Sequence, residues 1–251
     1  MPNPFSRVVR DADIYLATNI LDDKPEMAAV VGRIFALWAS IEHRLRFLLI
    51  EIVGTRAQAA IAIYEYLTAE HLRLKALDQA AKTVLPTESY SVLLAATAAA
   101  ESAQTPRNHL AHWMWGGCRQ RPDLLALVDP VLMRELALRL QTYYEAKGLV
   151  ECDGWDPEFI DPDFVLAYSI DDLKRAERDL DEVNRCLGLI GAYLFAGGAN
   201  PQNEKDPNEQ ARLLVQLNEL PLFRAAKARI DADLQKHPPE PHAPLRSGWH
   251  R

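Results

Sequence analysis

Cysteine is scarce in this 251-residue sequence, membrane-length apolar runs are missing, and cationic residues are outnumbered by anionic ones. Its three cysteines, Cys118, Cys152 and Cys186, stand apart with no CxxC spacing. An odd, dispersed set argues against a disulfide framework and suits reduced thiols in a cytoplasmic protein. No stretch of about 18 apolar residues occurs, so no membrane span is expected. Met1 to Arg10 lacks the continuous apolar core of a secretory signal. Lys and Arg total 28 against 35 Asp and Glu, and the resulting net charge of −7 argues against broad nucleic-acid binding. β-branched residues are sparse in most segments while alanine and leucine abound, which favours helix. With 49% hydrophobic and 25% charged residues, the chain has the composition of a globular protein long enough to bury a core.

What is present is mostly helical periodicity. A mixed segment, residues 1–25, ends in a turn at Asp23 and Pro25. Ile34, Leu37, Ile41, Leu45, Leu48 and Ile52 then recur at three- and four-residue spacing, which predicts a helix from about Glu26 to Val53, stopped by Gly54. A second helix is expected over Arg56–Leu67, apolar most of the way round from Ala57 to Ile63 and therefore buried. Thr68 is the expected cap of a third, Glu70–Leu85, and Thr87 or Ser89 of a fourth, running to about Ala103. The alanines of that fourth helix permit close helix packing. Thr105-Pro106 signals a new helix start, expected to run from Pro106 to about Trp115 and to stop at Gly116-Gly117. Leu124–Val128 and Phe164–Ile170 read as two short strands that pair as a ribbon. Between them fall a helix, Pro130–Lys147, ended by Gly148, and an acidic loop, Glu151–Pro162. Leu173, Leu180, Val183, Leu187, Ile190 and Leu194 mark a long helix from Asp171 or Asp172 to Ala196. A polar linker follows, then a helix or helix pair over Gln210–Lys236, and a proline-bearing tail, residues 237–251, expected to be disordered or to lie on a partner. The fold class is therefore mainly α: an antiparallel helical bundle with a small two-stranded β insertion near 124–170 and a C-terminal helical extension, 197–236.

One stretch points at chemistry: Thr105-Pro106-Arg107-Asn108-His109-Leu110-Ala111-His112-Trp113. An arginine fork donates two parallel charge-assisted hydrogen bonds to a phosphate. A histidine moves protons near neutral pH. A helix start adds backbone donors and a dipole suited to anions. The charge distribution is consistent, since residues 28–119 carry a net +2 while residues 120–251 carry −7. On a helix, Arg107 and His112 are about 140° apart, whereas Asn108 and His112 share a face. One arginine and one histidine make a thin acid–base set, so a symmetric dimer that doubles them is expected.

Arg107-Asn108-x-x-x-His112 resembles the R-x4-6-H motif of the HEPN superfamily, in which the position after the arginine is commonly Asn, Asp or His. The layout over residues 26–196 is also similar: a helical bundle with the motif near the start of a late core helix. The resemblance implies a metal-independent endoribonuclease acting as a homodimer, of the kind found in toxins and antiphage systems, with Arg107 and His112 as the catalytic pair and Asn108 supporting them. It implies RNA as partner, an antitoxin or regulatory protein as a further one, and no cofactor. Glu42, four residues after Trp38, is a candidate to anchor Arg107 or tune His112; the alternative is a solvent-facing glutamate paired with Arg46. His109, Trp113 and Trp115 are candidate RNA contacts, with the tryptophans alternatively covering the core or a dimer interface. His109 and His112 form an HxxH pair, but without a third ligand no metal site is expected. Two other readings remain open: a non-catalytic HEPN-like module that binds RNA, a nucleotide or a protein, and a scaffold bundle with no site.

Overall fold

Long amphipathic stripes and short strands sort the described residues into helices and one small antiparallel sheet. The computed structural model describes residues 2–9, 12–54, 57–132, 134–135, 138, 141–142, 160–198 and 205–237. The chain is mainly helical with an antiparallel sheet, and it divides into two units: Met1–Leu37 with Gln104–Asp179, and Trp38–Ala103 with Leu180–Arg251. Two helices, α1 (Pro25–Val53) and α6 (Ile170–Ala196), each contribute residues to both.

The first unit holds the sheet. Its strands are β1 (Asn3–Pro4), β2 (Ile14–Leu16), β3 (Met114–Cys118), β4 (Arg121–Val128) and β5 (Val165–Tyr168), in the order β1-β5-β4-β3-β2, all pairs antiparallel. The expected β4–β5 pair is present, with Leu125 opposite Tyr168 and Val128 opposite Val165. It is not a two-stranded ribbon but the middle of a five-stranded sheet. β4 is central, which explains its unbroken apolar run: every residue from Leu124 to Val128 is buried. Leu124, Ala126 and Val128 join Phe5, Ile14, Val165 and Ala167 in one core. At about 2 kcal/mol per buried leucine-sized side chain, this strand anchors the unit.

The remaining strands escaped sequence reading for physical reasons. β1 and β2 are edge strands of two and three residues, too short to show a period. β3 contains Gly116-Gly117, which reads as a helix stop. The glycines are there because β2 crosses closely: a Cβ on Gly116 would collide with the Tyr15 carbonyl, and one on Gly117 would meet the Tyr15 ring. The preceding helix, α5 (Thr105–His112), accordingly ends three residues sooner than expected.

In the second unit lie α2 (Ala57–Tyr66), α3 (Glu70–Val84), α4 (Thr87–Ala103), α7 (Pro207–Glu219) and α8 (Pro221–Lys236), beside the ends of α1 and α6. α4 is buried along most of its length, through Val92, Leu93, Ala95, Ala96, Ala99 and Ala100, and packs on α3 and α8. The C-terminal extension is a helix pair broken at Pro221, with the Asp206 carboxylate accepting from the Asn208 and Glu209 N–H groups at the start of α7. α3 starts without a side-chain cap, so Thr68 does not serve that role. α2 is not buried all round: Ala60 and Tyr64 face inward, while Ile63 is 61% and Tyr66 86% exposed. Burial pushes the Cys186 thiol up to about 12, an inert core side chain.

α1 and α6 run parallel, not antiparallel. In the first unit Glu26 pairs with Lys174 and Arg33 with Glu177. In the second, Ser40 bonds Asn184 and Leu48 lies beside Gly191. Short turns force antiparallel packing only on consecutive helices, and these two are far apart in sequence. α6 begins with a reciprocal box: the Asp172 N–H donates to Ser169 Oγ, and the Ser169 N–H and hydroxyl both donate to the Asp172 carboxylate. The described residues between Pro130 and Thr142 are helical; the rest of the expected Pro130–Lys147 helix, Gly148, Cys152, most of the acidic loop, residues 199–204 and the tail from 238 lie outside the described residues.

Candidate functional site

The Arg107–His112 stretch folds as α5, eight residues long. Its start differs from the expected open cap. Gln104 is itself helical (φ −73°, ψ −21°), no side chain caps the helix, and the Asn108 N–H already donates to the Gln104 carbonyl. Pro106 sits in the first turn, where its missing N–H costs nothing.

Three side chains of α5 have distinct surroundings. Arg107 is half-buried, and its Nη1 donates to Asn108 Oδ1 at 3.0 Å. The Asn108 carboxamide therefore orients the arginine rather than His112. His112 is exposed and, among the described residues, makes no hydrogen bond or ring contact. His109 is the half-buried member of the pair. Its ring stacks on Trp113, with centroids 4.3 Å apart, and its Nδ1 lies 2.8 Å from the Tyr168 hydroxyl.

Burial lowers the His109 pKa below its ordinary 6.5, partly offset by the negative charge of Asp129. Burial, reinforced by Asp172, raises that of Tyr168. Both groups are thus held neutral near pH 7. A neutral imidazole accepting at Nδ1 from the Tyr168 O–H satisfies both, with the His109 proton on Nε2. Tyr168 lies 59 positions away on β5. Sequence reading missed it because only strand register brings it under α5; the Ser169-x-x-Asp172 capping signal was the available clue to where β5 ends.

The other candidates divide between local and distant roles. Trp115 is half-buried, and its indole N–H donates to the Leu110 carbonyl at 2.9 Å. It thereby satisfies one of the acceptors left at the C-terminal end of α5. Trp113 is half-buried and extended (φ −91°, ψ 154°), its face occupied by His109. Glu42 belongs to the second unit, where Arg73 Nη1 reaches its carboxylate at 3.5 Å. Arg73 also donates to the Leu67 carbonyl and lies over the Tyr64 ring. Arg46, the expected helical partner of Glu42, instead pairs with Glu65. Among the described residues, no group of three or more His, Cys, Asp or Glu side chains is placed to hold a metal ion, and no helix is long and apolar enough to cross a membrane.

Chemically, α5 offers one cation held by a neighbouring amide, one exposed imidazole and one imidazole locked in its neutral form. Compared with known proteins, the chain matches no family model, no curated protein and no solved structure.

Proposed function

We propose that this chain is a metal-independent endoribonuclease of HEPN type, acting as a homodimer in a toxin or antiphage role. The observation that carries the reading is His112: an exposed imidazole with no partner among the described residues, five positions from an arginine whose guanidinium is steadied by Asn108. In the proposed step the RNA 2′-oxygen bonds to phosphorus as the bond from phosphorus to the 5′-oxygen breaks. A base takes the 2′-hydroxyl proton and an acid delivers one to the leaving 5′-oxygen, giving a 2′,3′-cyclic phosphate and a 5′-hydroxyl. Arg107 holds the non-bridging oxygens. His112 does one proton transfer, and the partner protomer's copy of the same residue type supplies the other. His109, held neutral by burial and hydrogen-bonded to Tyr168, ties α5 to the sheet.

The test is cleavage of RNA in excess EDTA, with product ends identified. His112→Ala and Arg107→Ala should each lower the rate by about 100-fold or more. Equal rates for wild type and His112→Ala would sink the proposal. A second reading, a non-catalytic HEPN-like module that binds RNA, a nucleotide or a protein, is favoured by the net charge of −7. It predicts that overexpression of wild type and of Arg107→Ala affects growth equally.

A further inference from the structure

We propose that the groove between α1 and α6 in the second unit binds a small organic carboxylate with a flat apolar body. The groove encloses about 640 Å³, within the range of small-molecule sites. Its polar centre is Arg44. The Arg44 Nε–H donates to Asn184 Oδ1 at 2.7 Å, and the Ser40 hydroxyl donates to the same oxygen at 2.9 Å. That bond fixes the plane of the guanidinium through its side edge. Its two Nη groups, the end-on fork, have no partner among the described residues and form part of the groove wall. A half-buried guanidinium held in place with its fork open is set for a bidentate anion.

The floor is made by glycine. A Cβ on Gly188 would lie 2.8 Å from Arg44 Nη1, so the guanidinium rests flat on the backbone of α6. Gly191 faces the same groove, where the nearest atom to an added Cβ is Leu48 Cδ2 at 3.9 Å. Glycine inside a helix is destabilising relative to alanine; at 188 it makes room for the arginine, and at 191 for a flat body. Phe47 and Phe195, 48% and 55% exposed, border this floor. Glu51 also lines the groove, two turns beyond Arg44 on α1 or about 10 Å along the helix. His43 is the third ionisable group of the lining; with Arg44 as the fixed cation and Glu51 as a fixed anion, the groove suits a monoanionic carboxylate better than a dianionic phosphate ester. A cationic or hydroxyl substituent at the far end would meet Glu51.

The probe is 4-phenylbutyrate, with 4-phenylbutyramide as its neutral isostere and phenyl phosphate as a dianion. Binding is read from the backbone amide NMR signals of Gly188 and Gly191 in the full chain. The carboxylate should shift both with a Kd of about 1 mM, as expected for so few atoms, and the amide should bind at least tenfold more weakly. Arg44→Met should weaken the carboxylate tenfold or more. Gly188→Ala should weaken it severalfold while leaving thermal stability unchanged or raised, which separates displacement of the guanidinium from misfolding. The proposal is overturned if wild type shows no shift up to 10 mM, if acid and amide bind alike, if phenyl phosphate binds more tightly, or if the groove signals move only with protein concentration, which would make this face a self-interface. None of these readouts involves RNA cleavage, so the result stands apart from the ribonuclease reading.

Discussion

Removing the Tyr168 hydroxyl isolates the hydrogen bond that ties α5 to β5. Tyr168→Phe keeps the ring, its packing and its edge-on contact with His109, and deletes a single donor to Nδ1. A net protein hydrogen bond contributes about 1 kcal/mol, and an acceptor left buried without a donor costs about 1–3 kcal/mol. His109 is only half-buried, so water partly replaces the lost donor and the expected cost is about 1 kcal/mol. Urea denaturation at pH 8, where His109 is neutral folded and unfolded, measures it. A cycle with His109→Gln should return a coupling of about 1 kcal/mol, and a coupling below about 0.3 kcal/mol would refute the contact. The same pair has a signed pH dependence. Burial lowers the folded His109 pKa, while the unfolded chain titrates near 6.5. Above pH 6.5 both states are neutral and the full contribution is present. As pH falls from 6.5 towards the folded pKa, the unfolded state takes up the proton first and stability declines. His109→Gln should therefore show a shallower acid-side loss than wild type, and an NMR titration placing the folded His109 above 6.5 would overturn this account.

Beyond the losses of RNA cleavage expected for His112→Ala and Arg107→Ala, and the groove affinities set out above, two stability changes test the fold. Ser169→Ala removes the hydroxyl that accepts from the Asp172 N–H and should cost about 1 kcal/mol by thermal unfolding; no change would mean the box contributes nothing. Leu125→Ala opens a cavity in the central strand, where the side chain is fully buried, and should cost about 3 kcal/mol in urea. A cost below about 1 kcal/mol would show that β4 is not packed on both faces.

The long helices were legible because their information is local. Of the residues whose spacing predicts a stripe, Ile34, Ile41, Leu45, Leu48 and Ile52 of α1 are buried and Leu37 is half-buried, while Leu173, Leu180, Val183, Leu187, Ile190 and Leu194 of α6 are all buried. Gly54 (φ 63°) and Gly198 (φ 66°) stand at the ends of those helices with positive φ, as stop signals should. The sheet was only half legible, since the pairing of Asn3 with Ala167 or of Ile14 with Cys118 leaves no mark at either position alone. Gly116-Gly117 misled because glycine serves a helix stop and a tight strand crossing equally well. The site divides the same way. The contact of Arg107 with Asn108 joins neighbours and could be anticipated, while the tie between His109 and Tyr168 depends on strand register. Glu42 drew attention by its place on α1, but its partner Arg73 comes from α3.

Both edges of the sheet are made by residues 3–16. β1 closes one side against Leu166 and Ala167, and β2 the other against residues 116–118. During synthesis β2 can be matched once Cys118 has emerged, but β1 must wait for some fifty further residues, until Ala167 appears. The growing sheet therefore carries one open edge while the ribosome makes the intervening chain, an interval in which another strand can add to it. Slower translation between residues 128 and 165, after β4 and before β5, would lengthen that exposure and should lower the yield of folded protein.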